Sequence, residues 1–157
     1  MEIRVRSAHP RDIPDLVAFN RALARETEAR DLDQERLRKG VAAVLEDSSR
    51  GSYFLAVQDE KPVGVLMVTT EWSDWRNGLF WWIQSVYVKK ESRGQGVFRR
   101  LYDHVLESAR SARNVVGVRL HVDHENRTAQ KTYRAVGMAP ARYRMFEVDF
   151  VLAAAER

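Results

Sequence analysis

The sequence predicts a mixed α/β (α+β) domain, with helices flanking one mostly antiparallel central sheet, and three observations point there. Strand-like runs with apolar residues at alternate positions are interspersed with segments whose apolar residues recur every three or four. Short polar turns join the middle strands, which makes those neighbours antiparallel. The passage from the Phe80 run through a helical segment to the Val115 run instead demands a parallel neighbour, reached by a right-handed crossover.

The elements follow in order. EIRVRSA alternates Ile3 and Val5 with charged residues and reads as a short first strand, broken by His9 and Pro10. Asp12 stands at the start of a helix carrying Ile13, Leu16, Val17 and Leu23, and a second helix is expected over Asp33 to Asp47, with Leu37, Val41 and Leu45 four apart. SSRGS is a loop. YFLAVQ and VGVLMVTT read as strands joined by the polar turn DEKP, and SDWRNG turns the chain into the long aromatic and β-branched strand FWWIQSVYV. A helix starting near Gln95 repeats Val97, Leu101, Val105 and Ala109 every four residues. VVGVRLHV is a strand with Val116, Val118, Leu120 and Val122 on one face and Arg119 and His121 on the other. Ala129, Thr132, Tyr133 and Val136 mark a last helix, ended at Gly137, before a final strand YRMFEVDFVL.

The 157 residues suit a single domain, and 45% apolar with 31% charged residues is a globular composition far from that of disordered chains. Cysteine is absent, which excludes disulfides, thiolate nucleophiles and thiolate metal sites and suits a reducing cytoplasm. No apolar run reaches the roughly 20 residues of a membrane span, and MEIRVRSAHPRD lacks the apolar core of a signal peptide. The formal net charge of +4 would suit an anionic partner, but acidic residues lie among the basic ones and there is no recognition helix or aromatic-basic sheet face for nucleic acid. No cluster of residues suggests a metal site.

The stretch ESRGQGVFRR carries the chemistry. Gly94 and Gly96 sit between a strand and a helix, and Arg93, Arg99 and Arg100 flank them. A helix start presents backbone N–H groups and about half a positive charge, and bare glycines let an anion such as phosphate approach them. A tight turn alone is the other use of such a glycine pair. GQGVFR lacks the third glycine of a dinucleotide fingerprint, and no GK[ST] follows at the spacing of a nucleoside triphosphate loop.

With Val86 and Val88 before it and FRRLY behind it, ESRGQGV resembles the acetyl-CoA pyrophosphate loop of the GNAT N-acetyltransferase superfamily. LHVDHENRTAQKTYRAVGM is similar to that family's second signature, through Asn126, Ala129, Tyr133 and Gly137. The resemblance spans about Phe80 to Met138; Glu91 stands where the family pattern has Gln or Arg, and Met138 where Phe is more usual. It implies acetyl-CoA as cofactor and a bulged Trp81–Val88 strand that splays away from the Val115–Val122 strand. It further implies cofactor contacts from Val86, Tyr87, Val88, Arg93, Gly94, Gln95, Gly96, Val97, Phe98, Arg99, Asn126, Ala129 and Tyr133. The pantetheine arm would pair with backbone around Val86 and Val88, and an N–H near Val86 would stabilise a developing oxyanion.

By the same resemblance, Tyr133 is the general acid that protonates the leaving thiolate; packing is the alternative for an inward tyrosine. The strand before the loop offers Gln84 but no carboxylate, so Glu71 is the candidate general base, with Asp74 beside it and His121 and His124 as weaker alternatives. Trp72, Asp74, Trp75, Trp82 and Gln84 are candidates for the acceptor pocket, and core packing or a dimer contact is the other reading of the tryptophans. The expected reaction is direct attack, in a ternary complex, by a primary amine of a small molecule or peptide. The alternative is a catalytically weak acyl-CoA-binding or sensor module. An exposed edge at YRMFEVDF would be covered in a homodimer.

Overall fold

The computed structural model describes residues 2–152. The chain divides into two compact units, Met1–His121 and Val122–Arg157. The first holds a five-stranded sheet in the order β1-β2-β3-β4-β5. Its strands are β1 (Arg4–Ser7), β2 (Ser52–Gln58), β3 (Lys61–Ser73), β4 (Gly78–Val88) and β5 (Val115–Leu120), and its helices are α1 (Ile13–Glu28), α2 (Gln34–Glu46) and α3 (Val97–Ser111). The four consecutive strands β1 to β4 are antiparallel and β5 joins β4 in parallel, as the crossover through α3 requires.

Local chemistry explains the element ends. Asp33 accepts a hydrogen bond from the Arg36 amide at 2.7 Å and so caps α2. The turn between β2 and β3 is tighter than the polar stretch DEKP suggests: Asp59 and Glu60 take left-handed dihedrals, φ 49° and 61°, which match the twist of a two-residue hairpin. β3 therefore starts at Lys61 and runs on through Trp72 to Ser73.

The sheet is covered on both faces. On one, α1 and α2 bury Leu16, Val17, Phe19 and Val41 against Tyr53, Leu55, Val57 and Val65. On the other lie the alternate residues Leu66 and Val68 and the α3 stripe Val97, Leu101, Val105 and Ala109, all buried. Each fully buried Leu or Val contributes about 1.5–3 kcal/mol. Gly64 sets how closely α3 approaches: a Cβ there would lie 2.9 Å from Val97 Cγ1.

Asp12 precedes α1 but does not cap it with its side chain. Its carboxylate, 4% exposed as a residue, instead takes a two-point bond from Arg6 at 2.7 and 2.9 Å and a third from the His9 amide at 2.8 Å. This ties β1 to the start of α1. The Arg6 bond holds the carboxyl below the usual aspartate range, against the upward pull of burial.

In the second unit, α4 (Arg127–Ala135) starts at Asn126, whose side chain accepts from the Ala129 amide at 3.0 Å, and stops before Gly137 at φ 92°. The expected final strand is absent: residues 143–152 form no strand. A strand exists only where a second backbone takes its hydrogen bonds, and alternating side chains do not provide one. The end of the run turns on itself, with Asp149 Oδ1 accepting from the Val151 and Leu152 amides at 2.8 Å each.

Asp12→Ala leaves Arg6 with an uncompensated, part-buried charge and should cost about 3 kcal/mol in urea unfolding. Because the folded-state carboxyl is depressed, its stabilisation is complete above the unfolded value near pH 4 and is lost as pH falls below it. The variant should therefore lose less stability than the parent on acidification through that window.

Candidate active site

The site begins with a fault in β4. Its pairing with β3 shifts register between Met67 opposite Gln84 and Val65 opposite Tyr87. Ser85 sits in that bulge with φ 50°, a left-handed conformation that costs a non-glycine residue about 1–2 kcal/mol. On its other side β4 is paired with β5 only as far as Ile83, opposite Leu120, although β4 continues to Val88. Within this sheet, the backbone of Val86, Tyr87 and Val88 thus faces no strand on the β5 side. The predicted bulge and splay are both present.

Beyond Val88 the chain makes a 3-10 turn, Lys90–Ser92, and then the glycine loop. Gly94 and Gly96 have φ 73° and 79°, and a Cβ built on either meets no atom within 4 Å. Gly96 stands at the N-cap of α3, no side chain caps that end, and the first turn holds no acidic residue. The helix begins at Val97, two residues later than expected, because Gly94 to Gly96 form turns and Gly96 is left-handed. Gln95 shapes the loop by donating from its side chain to the Glu91 carbonyl at 3.0 Å. The donor set is right for an anion: the N–H groups of a helix start that no side chain caps, a helix dipole and open space where side chains would stand. Residues of this kind fit the diphosphate of coenzyme A.

The flanking cations are less available than the sequence suggests. Arg93 donates through Nε to the Val88 carbonyl at 2.9 Å and through a terminal nitrogen to Glu26 at 2.7 Å. Lys90 lies 3.7 Å from the same carboxylate, and Arg99 pairs with Asp103 at 3.2 Å. Glu26, on the last turns of α1, also accepts from the Tyr87 hydroxyl at 3.2 Å. Burial pulls the Glu26 carboxyl up, but the Arg93 bond and charge, with Tyr87 and Lys90, bring it below its ordinary value. The Tyr87 phenol is pushed up, chiefly by burial and then by the Glu26 charge. Sequence reasoning missed Glu26, which is one of several acidic residues in a polar helix end.

Next to the bulge, Phe80, Trp82 and Gln84 share one face of β4, with Gly117 and Arg119 across on β5. A Cβ at Gly117 would lie 2.5 Å from the Phe80 ring, so the glycine makes room for the aromatic. Arg119 stacks over Phe80 at 3.5 Å and bonds Glu71 at 3.1 Å, while His121 lies against Trp82 at 4.3 Å. Glu71, half-exposed, is thus held by a guanidinium. Gln84 donates to the Thr69 hydroxyl. Asp74 turns into its own hairpin and accepts from the Trp75 amide at 2.9 Å. Trp75 at 85% exposure and Trp72 at 58% stand out from the hairpin, so only Trp82 of these three joins the aromatic face. Phe98 packs on Tyr102 within α3.

In the second unit, Asn126, Ala129 and Tyr133 lie along α4, the first as its cap. Tyr133 is half-buried, and that burial raises its phenol above the ordinary value, keeping it protonated at neutral pH. Asp123, His124 and Glu125, just before Asn126, are exposed, and among the described residues no group of acidic and histidine side chains could hold a metal ion.

Comparison with known proteins agrees with this architecture. The acetyltransferase (GNAT) family model matches residues 17–138, a span that enters both units. The crystal structure of a possible acetyltransferase from Clostridium difficile 630 is 41% identical, covers 97% of this chain and 100% of its own, and superposes with a TM-score of 0.89. Ribosomal-protein-alanine N-acetyltransferase from Brucella melitensis biovar Abortus 2308, at 17% identity, shares the fold with a TM-score of 0.76 over 95% of this chain and 99% of its own. A predicted acetyltransferase from Clostridium acetobutylicum, solved with acetyl-CoA, does so at 16% identity and TM-score 0.76, over 96% and 97%. No curated protein matches the sequence.

Ser85→Val places a β-branched residue at a left-handed position and should destabilise the domain by about 1–2 kcal/mol in urea unfolding, whereas Ser85→Gly should match or exceed the parent.

Proposed function

The chain belongs to the acetyltransferase (GNAT) family, and from that premise we propose that it moves an acetyl group from acetyl-CoA to a primary amine of a small molecule or peptide. Acetyl-CoA supplies the activated thioester. One observation carries the reading: an open, left-handed glycine loop at an uncapped helix start follows directly on a strand edge that β5 leaves unpaired.

Each residue then has a task. The amides around Gly94, Gln95, Gly96 and Val97 hold the diphosphate, and Arg93 and Arg99 add positive potential at its rim. Val86 and Val88 offer backbone groups to the amide-bearing arm in the manner of an added strand, and the Val86 N–H polarises the acyl carbonyl. Holding both reactants in one cleft replaces a bimolecular encounter by a positioned attack, with no covalent acyl-enzyme. Tyr133 keeps its proton at neutral pH and gives it to the departing sulfur. Glu71 is the candidate acceptor of the amine proton, directly or through water, and must exchange part of its bond to Arg119 to serve. Asp74, folded into its own turn, is the weaker choice. The aromatic face of Trp82 with Gln84 at its edge would receive the acceptor, and the exposed Trp72 and Trp75 would reach a larger one. Asn126 and Ala129 set the start and direction of the helix that carries Tyr133. The whole chain works as one acetyltransferase domain in the cytoplasm.

A second reading has its own support. β4 carries no carboxylate, and Glu71 is already bound by Arg119, a combination that suits an acyl-CoA-binding or sensor module with weak turnover.

Calorimetry with acetyl-CoA tests the cofactor first: binding is expected, its absence rejects the assignment, and Gly96→Ala should weaken it at least tenfold, because alanine resists the left-handed φ of 79° that the loop requires. On a panel of amines, Tyr133→Phe should lower kcat by about 100-fold or more with cofactor affinity unchanged. Turnover that is robust in the parent and abolished in that variant excludes the sensor reading. Glu26→Gln releases Arg93, so the coenzyme A Kd should fall about 3-fold or more if Arg93 contacts the diphosphate.

A further inference from the structure

Val88 lies at the end of β4, and the antiparallel ladder with β3 fixes which way its backbone points. The Lys89 amide donates to the Val63 carbonyl at 2.9 Å, which makes Val63 and Lys89 a hydrogen-bonded position of the ladder; Gly64 and Val88, the next pair in the same register, are then a position that is not. The N–H and C=O of Val88 therefore turn away from β3. They face the side on which β4 pairs with β5 only as far as Ile83. The Val88 carbonyl nevertheless has a partner, because Arg93 donates to it through Nε at 2.9 Å.

Arg93 is itself held from α1. Its Nη2 donates to Glu26 at 2.7 Å, and its guanidinium lies 5.5 Å from the centre of the Tyr87 ring. Glu26 is fixed in turn: the Tyr87 hydroxyl donates to it at 3.2 Å, the Lys90 ammonium stands 3.7 Å away, and the Tyr87 ring packs on Phe19 of the same helix at 5.7 Å. Burial would raise the Glu26 carboxyl, but the Arg93 bond and charge outweigh it and keep the group ionised at neutral pH. A continuous strap thus runs from a helix carboxylate through a guanidinium to the edge of β4.

We propose that Glu26 is a positioning residue for the cofactor: it holds Arg93 across the Val88 carbonyl, and the arm of coenzyme A takes that edge only as Arg93 turns to the diphosphate. The inference rests on coenzyme A as the ligand, since only an arm and a diphosphate together call for the exchange. A strand-like arm pairs through N–H groups aimed at backbone carbonyls, and the Arg93 Nε stands where such a group must come. The trade is balanced in kind. Arg93 leaves a carboxylate and a carbonyl and meets phosphate oxygens, which a planar guanidinium can grip with two donors. Ion pairs near the surface are weak, so the strap can open, and its opening ties the seating of the arm to the end of α1.

The test separates the arm from the diphosphate. Coenzyme A and 3′-phosphoadenosine 5′-diphosphate, which is coenzyme A without its arm, are titrated calorimetrically into the full-length parent, and the ratio of the two Kd values reads what the arm adds. That ratio, truncated ligand over coenzyme A, should rise about threefold or more in Glu26→Gln and in Arg93→Ala, because neither variant has a strap to open. Arg93→Ala should bind the truncated ligand no more tightly than the parent. In the Arg93→Ala background, Glu26→Gln should change the ratio no further. An unchanged or lower ratio in either variant overturns the proposal, and so does a Glu26→Gln effect that persists without Arg93. Failure of coenzyme A to bind the parent and both variants overturns the acyl-transfer reading with it, whereas binding with a flat ratio overturns the strap alone.

Discussion

A strand has two rows of hydrogen-bonding groups, and β4 spends one of them only as far as Ile83. Its β3 side is used to the end, through the register shift that places Ser85 in a left-handed conformation. The sheet therefore stays whole on one side of β4 and opens on the other. An unsatisfied backbone row is expensive inside a protein, so such an opening persists only where solvent or a ligand satisfies it. Past the end of β4 at Val88 come the glycine loop and α3, and Arg93 reaches back to the Val88 carbonyl.

The charge pattern around that opening is subtler than a basic patch. Arg93 and Lys90 share Glu26, and Arg99 is matched by Asp103 along the helix. Exposed pairs of this kind contribute little to stability, and their members can be drawn to a stronger anion at small cost. The start of α3 itself has no acidic residue in its first turn, and no side chain caps that end. The dipole and amides of the helix, rather than the count of arginines, define the anion site.

The fold was legible in the sequence where local forces set it. The α3 stripe of Val97, Leu101, Val105 and Ala109 and the left-handed Gly137 follow from periodicity and backbone preference, and both are present. The crossover rule placed β5 parallel to β4 without any coordinate. The resemblance in ESRGQGV brought the bulge and splay with it. The final strand failed because YRMFEVDFVL has the alternation of a strand but a strand is a pairing, and alternation says nothing about who the partner is.

The site divides along the same line. Composition, two spaced motifs and the glycine pair determined the family and the loop, because steric freedom at Gly94 and Gly96 and helix polarity act within a few residues of chain. Tertiary structure alone decided that Glu26 reaches Arg93 and Tyr87, that Arg119 holds Glu71, and that Asp12 answers Arg6 rather than capping α1. Charges meet through space, and a sequence records only their order along the chain. Which carboxylate faces which guanidinium is settled when the sheet twists and the helices dock, long after local preference has been exhausted.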